Sequence, residues 1–341
     1  MEPEMRTQIE MTHKERIERT LNGQAIDRPA VSAWRHFYNR ENTRNDFVNV
    51  MIEFQRKFDW DFMKINPRAS YHIEDWGAIQ HFSKDPLIKP ITSSFPIHKK
   101  QDWAKIGTLD WTAGTLGETL AATGDLVNEM QNEIHIIQTV FSPLSIAADL
   151  TPNEELFVRF LHDGPGELHQ ALEAITETFI GFTRHLVKLG ISGIFFATTE
   201  LASRDLLTEE EYIEFGQPYD FKILRAAASA PFNVVHVCNK YNMLPLFREY
   251  PVPVLSWNPF DEGNLSIHQA AQITDKIFLT GVDHNVTLKS GSPADIKLQI
   301  EKSLRQVPLG RMMVGPGCAI KVNTPDNNLK AVSDTVKGWK I

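Results

Sequence analysis

The stretch Glu167–Ala197, ELHQALEAITETFIGFTRHLVKLGISGIFFA, decides the fold class. Leu168, Leu172, Ile175, Phe179, Phe182 and Leu186 recur at steps of four and three, the period that places apolar side chains on one face of a helix. Gly190 supplies the stop, because glycine enters the left-handed conformation at a helix end without a steric cost. Directly after it, Gly193–Ala197 is a short apolar run of the kind that a strand buried on both faces requires. A long helix feeding into a fully buried strand is the repeating unit of a parallel sheet covered by helices.

The unit recurs on both sides of that stretch. Ala30–Trp34, Asp61–Ile65, Ile134–Thr139, Asn233–Val237, Val254–Trp257, Ile277–Gly281 and Arg311–Gly315 are similar runs, which with Gly193–Ala197 makes eight predicted strands. Further helices are predicted from Thr208 toward Ala230, with Glu210 and Glu211 at the positive end, and from Ser292-Pro293 to about Val307. A chain of 341 residues with this alternation suits an α/β fold of the (β/α)8 TIM-barrel type, one domain over residues 13–341. Residues 1–12 read as a flexible leader, with Met11 as an alternative start. Tyr71–Glu133, between the second and third predicted strands, is too long for a plain crossover and reads as an elaborated loop region over the barrel mouth.

A net charge of −8 argues against a nucleic-acid partner and against anionic membrane surfaces, both of which are met by concentrated Lys and Arg. Met1–Glu18 carries no apolar signal-peptide core and no run is long enough to span a bilayer, so the cytoplasm is the expected compartment. Exposed barrel helices suit a homodimer. Two cysteines in a reducing compartment are better used for metal or catalysis than for a disulfide. Phosphate-binding glycine loops, His-Glu-x-x-His and Gly-x-Ser-x-Gly are absent.

In Val234-Val235-His236-Val237-Cys238, His236 and Cys238 leave the same face of a strand end. Cys318 follows the last predicted strand in Val314-Gly315-Pro316-Gly317-Cys318, and in a parallel barrel both segments finish at the same rim. One imidazole and two thiolates favour zinc and leave a fourth position open for a substrate thiol, which ionises more readily there. The same residues also read as two small buried hydrophobes and a core histidine satisfied by backbone. Glu262, and after it Glu200, are candidate fourth ligands by position, though loop carboxylates are commonly solvated. Asp283 and His284 follow the seventh predicted strand and are candidates to contact substrate or orient His236, or else cap the loop. Arg35, His36 and Arg68 stand at strand ends where a carboxylate, sulfonate or phosphate group would meet them. Of the seven tryptophans, Trp76 and Trp257 are the two placed to cover a flat ring, the others being packing.

From about Lys14 to Trp339 the chain resembles the uroporphyrinogen decarboxylase superfamily, in its opening Lys14-Glu15-Arg16 to Asp27-Arg28-Pro29 and in its ending Gly315-Pro316-Gly317-Cys318, Asn323-Thr324-Pro325 and Asn328-Leu329. That superfamily holds heme-pathway decarboxylases and zinc-dependent, corrinoid-linked methyltransferases. Where the decarboxylases carry Arg-Gln-Ala-Gly-Arg, this chain has Arg35-His36-Phe37-Tyr38-Asn39. The decarboxylase aspartate aligns with Arg68 of Asn66-Pro67-Arg68-Ala69, and the Gly-His-Gly segment is replaced by Gly315-Pro316-Gly317. His236, Cys238 and Cys318 match the methyltransferase branch in ligand type and order.

The resemblance therefore implies methyl transfer from a methyl-corrinoid co-substrate to a small thiol, such as coenzyme M or homocysteine, held on zinc. Without an Asp-x-His-x-x-Gly segment, the corrinoid is expected on a partner protein or free. The alternatives are a uroporphyrinogen decarboxylase and a non-catalytic corrinoid-binding barrel.

Overall fold

The computed structural model describes residues 10–339, so the greater part of the expected leader lies outside the described residues. Among the described residues nine strands form: β1 (Phe62–Ile65), β2 (Ile79–His81), β3 (Ile91–Ser94), β4 (His135–Phe141), β5 (Gly193–Ala197), β6 (Val234–Val237), β7 (Val254–Trp257), β8 (Ile277–Val282) and β9 (Met312–Pro316). Seven of them build one curled, parallel, TIM-barrel-like sheet in the order β1-β4-β5-β6-β7-β8-β9, while β2 and β3 pair separately as an antiparallel hairpin. Every strand of the large sheet lies within two residues of its predicted position.

Two apolar layers follow from the alternation of side chains along each strand. Phe62, Ile137, Phe195, Val234, Val254, Leu279 and Met313 point inward and pack with Ala30 and Trp34. The opposite faces pack under the helices, among them Pro165–Leu189, whose Leu168, Leu172, Ile175, Phe179, Phe182 and Leu186 are all fully buried.

The first predicted strand, Ala30–Trp34, is not a regular strand of this sheet. It makes one parallel bridge, Val31 to Val314, with Ser32 N donating to Val314 O (3.1 Å) and Val314 N to Ala30 O (2.7 Å). On its other side Asp61 N donates to Val31 O (2.8 Å), but the Val31 N–H goes to the Asp61 carboxylate (2.8 Å). A side chain has taken a ladder position, and Pro29 has no N–H to offer.

The long helix predicted from Thr208 to Ala230 is two, Glu209–Phe215 and Gln217–Ala226, broken at Gly216 ahead of Pro218. Within Tyr71–Glu133 lie the β2–β3 hairpin, two 3-10 turns and a 17-residue helix, Gly114–Met130. Its Gly and Thr content hides the apolar stripe that marks the other helices.

Asp61 is wholly buried and accepts from Arg16 Nη1 (2.6 Å), Arg28 Nη1 (2.7 Å) and His13 Nδ1 (2.8 Å) as well as from Val31. Asp27 completes the network by taking Arg16 Nε and Nη2 at 2.8 and 2.7 Å. Burial alone would raise the Asp61 pKa, but His13, Arg28 and Arg16 hold it down at about 2. Removing one member of a buried ion network leaves the others uncompensated, so Asp61→Ala is expected to cost about 3–5 kcal/mol in urea unfolding. The folded pKa is depressed, so the group's contribution is full above the ordinary carboxylate value and fades as pH falls toward 2, which an acid titration of stability checks.

Candidate metal centre

Inward alternation along β6 puts His236 on the same face as Val234, and Cys238 follows it at the strand end. Register places His236 beside Ser256 of β7, and His236 Nδ1 meets Ser256 Oγ at 3.0 Å. With the hydrogen on Nδ1 donated to the hydroxyl, Nε2 presents its lone pair. That nitrogen is buried and has no hydrogen-bond partner, on a side chain only 3 % exposed. Buried polar atoms are almost always partnered, so an orphan among sulfurs calls for a ligand.

Cys318 arrives from the end of β9. A Cβ on Gly317 would lie 2.4 Å from the Asn258 side chain, so only glycine lets this loop pass so close to the end of β7. Cys238 and Cys318 are free thiols with their sulfurs 3.6 Å apart. The ligand atoms of His236, Cys238 and Cys318 all lie within 4.8 Å of one another, the one such group among the described residues. Two thiolates on a tetrahedral zinc, each about 2.3 Å from the ion, stand roughly 3.8 Å apart, so the pair is already spaced for that ion.

Each thiol acts on the other. Cys318 is held well below the ordinary cysteine value by its hydrogen bond with Cys238 and by the His236 and His284 rings. Cys238 is pushed well above it by that same hydrogen bond and by burial. Both cannot readily be thiolates unless a cation lies between them.

Around the three candidate ligands sit further polar and aromatic groups. The Phe195 ring stacks on His236 at 5.1 Å. Lys64 Nζ lies 4.5 Å from the same ring and bonds Asn66 Oδ1 at 2.6 Å. Burial pushes Lys64 down to about 7, against the pull of the Cys318 and Cys238 sulfurs. His284 is buried, its Nδ1 is unpartnered, and burial lowers its pKa. Glu200 opens to the mouth, yet displacement of its water, with Asp149, Glu154 and Cys318 nearby, raises its carboxyl. It lines an open cleft together with Ser70, His72, Lys89 and Asp149. A second open cleft is lined by His36, Tyr38, Lys89, Lys289 and Lys321.

Several predicted site residues are committed elsewhere. Glu262 is exposed, its backbone carbonyl accepts from Tyr241 N at 2.8 Å, and it lies outside the group formed by His236, Cys238 and Cys318. Trp257 is fully buried, donates Nε1 to Leu265 O and packs edge-on to Phe278, which makes it core. Trp76 donates to Gly107 O and stacks on Phe179. The Arg68 fork is spent on Glu74, at 2.9 and 3.0 Å. Asp283 accepts from the Asn285 and Val286 backbone and so caps its own loop. His36 meets Glu41 at 3.1 Å while lining the second cleft. Arg35 differs from these, for its Nε is buried without a partner and its guanidinium stands 5.0 Å over the Phe37 ring.

Lys64 and Ser256 were missed. Lys64 was detectable as the one charge inside the buried run Phe62-Met63-Lys64-Ile65. Ser256 carries no such signal, because its role follows from register with β6.

The family model described as uroporphyrinogen decarboxylase (URO-D) matches residues 12–339. The chain belongs to the uroporphyrinogen decarboxylase family. Curated relatives include the methylcobamide:CoM methyltransferase MtbA of Methanosarcina acetivorans, 24% identical over 255 residues that cover 74% of this chain and 72% of that protein. The methylcobamide:CoM methyltransferase MtaA of Methanosarcina barkeri is 25% identical over 250 residues, covering 72% of this chain and 70% of that one. Among solved structures, a methyltransferase from Methanosarcina mazei superposes with a TM-score of 0.82 at 19% identity, covering 96% of this chain and 99% of its own. A B12-independent methionine synthase from Shewanella sp. W3-18-1 has the same general fold, with a TM-score of 0.58 at 10% identity, covering 91% and 96%.

Ser256→Ala removes the partner that fixes the His236 ring. The expected outcome is metal retention weakened by roughly 10–100-fold, with secondary structure unchanged, in a competition titration against a chromophoric chelator.

Proposed function

We propose that this protein is a corrinoid-linked methyltransferase of the uroporphyrinogen decarboxylase family, moving a methyl group from a methyl-corrinoid to a small thiol bound at a zinc site of His236, Cys238 and Cys318. The observation that carries the reading is the unpartnered, buried His236 Nε2 beside two free sulfurs 3.6 Å apart at the strand ends. Three ligands of this softness leave a zinc coordination position open. Zinc held there supplies Lewis acidity, which lets a bound thiol lose its proton near neutral pH.

The residues around the site provide the rest. Ser256 fixes the tautomer and angle of His236. Phe195 and Trp34, packed edge to face with centroids 5.2 Å apart, wall the inner side with apolar surface. That surface keeps water from the reacting sulfur and strengthens every charge interaction nearby. Arg35, His36 and His284 are the groups proposed to contact the substrates' polar ends. The two clefts share Lys89 and flank the strand ends, so we assign them to approach of the corrinoid, free or carried on a partner protein.

Relatives named as methylcobamide:CoM methyltransferases support this chemistry, although at about a quarter identity they leave the acceptor open. Arg68, where the decarboxylase branch would place an aspartate, is locked to Glu74, and nothing in the site favours decarboxylation. No helix among the described residues is long and apolar enough to cross a membrane. The cytoplasm as compartment and a homodimer as assembly belong to the same proposal.

Zinc-loaded protein incubated with methylcobalamin and either 2-mercaptoethanesulfonate or homocysteine is expected to form the corresponding methyl thioether. Cys238→Ala is expected to lose most bound zinc and at least 99% of that activity while retaining its circular dichroism spectrum, on the order of the loss seen when a catalytic group is removed. Full activity without zinc, or formation of coproporphyrinogen from uroporphyrinogen, contradicts the proposal.

A further inference from the structure

Lys64 is the exception within β1. Its neighbours in the strand are apolar, its own exposure is 4 %, and no carboxylate pairs with it among the described residues. Its hydrogen-bond partner is the neutral Asn66 amide, and its ammonium sits over Phe195 at 4.5 Å and Trp34 at 5.5 Å. An unpaired cation is costly to bury unless negative charge close by repays it. The same Phe195 ring stacks on His236 at 5.1 Å, so it stands beside both the lysine and the candidate ligand. The groups that oppose the downward push of burial on Lys64 are the Cys318 and Cys238 sulfurs.

We propose that Lys64 is a positioning residue: its buried ammonium balances the charge of a thiolate bound at the His236, Cys238 and Cys318 site, and so sets the pH at which an acceptor thiol binds as its anion. The inference rests on the metal reading above. A divalent ion with one neutral imidazole and two thiolates carries no net charge, and a third thiolate makes the assembly −1 in a largely dry interior. Lys64 is a cation inside the same inner wall that restores neutrality when that third sulfur arrives. The other titratable groups around the sulfurs are His236 from β6, His284 after β8 and Glu200 after β5. Glu200 acts in the opposite sense, its negative charge opposing a thiolate, which makes the lysine's contribution more necessary. Packing alone does not call for lysine here, since methionine fills the same volume between two aromatic rings without a charge to bury.

The experiment uses full-length protein reconstituted with Co2+ in place of zinc and titrated with 2-mercaptoethanol across pH, following the thiolate-to-metal charge-transfer absorbance. Lys64→Met, and Lys64→Gln as a second neutral variant able to reach Asn66, are expected to bind cobalt as the parent does. Their pH midpoint for thiol binding should rise by about one unit, which is about tenfold weaker binding at neutral pH, since removing a nearby positive charge disfavours the anion. Lys64→Arg is expected to restore most of the shift. Midpoints unchanged in folded Met and Gln variants that bind cobalt and thiol overturn the role of Lys64 and leave the metal reading standing. An Arg variant shifted as far as the Met variant also overturns it, because the effect is then packing rather than charge. Failure of the parent protein to bind cobalt or zinc defeats the metal reading itself, and this inference with it.

Discussion

Asp61 lies wholly out of water and accepts hydrogen bonds from Arg16, Arg28, His13 and the backbone of Val31. Much of the architecture depends on that carboxylate. It joins the first helix, the segment Ala30–Trp34 and β1, while the same segment bridges to β9 through Val31 and Val314. The two ends of the seven-stranded sheet are thereby tied to a common piece of chain. Because all the strands of that sheet run parallel, curling it brings every strand's C-terminal end to one rim. Cys238, at the end of β6, and Cys318, at the end of β9, meet there although 80 residues separate them.

The charge arrangements at the two ends of the strands differ in kind. Around Asp61 each acid and base has its partners, so the network serves stability and register. Around the sulfurs, polar atoms are left over: His236 Nε2, His284 Nδ1 and, beside Gly317, Asn258 Nδ2 are buried and unpartnered. Unpartnered buried atoms occur elsewhere too, among them Trp60 Nε1, His135 Nε2 and Asp220 Oδ1, and what sets this place apart is an orphaned imidazole nitrogen beside two free sulfurs. A buried lysine without a carboxylate belongs to the same pattern.

Much of this was legible in the amino-acid order. The strands of the large sheet announce themselves as short apolar runs, because burial on both faces requires it, and His236, Cys238 and Cys318 follow from strand ends and ligand chemistry. The opening Arg16 and Arg28, which carry part of the family resemblance, are partners of Asp61, and Asp27 holds Arg16 in place. What sequence does not carry is register and pairing. Ser256 matters because it stands beside His236 across two strands, and the pairing of Arg68 with Glu74 likewise follows from the fold and not from the order of residues. The Ala30–Trp34 segment reads as a strand, yet a side-chain carboxylate takes its N–H, a substitution no periodicity reveals. Trp257 shows the reverse limit, since a large ring near a strand end is equally suited to a mouth and to a core, and here Phe278 and Leu265 claim it for the core.

The central claim is that the three side chains hold one metal ion with a position left for a thiol. Zinc X-ray absorption on the reconstituted protein, with and without an added small thiol, reads it directly. The account predicts a first shell of two sulfurs and one nitrogen with a light fourth scatterer, gaining a third sulfur at about 2.3 Å when thiol is added. A shell of nitrogen and oxygen alone, or a two-sulfur shell that does not change with thiol, contradicts it.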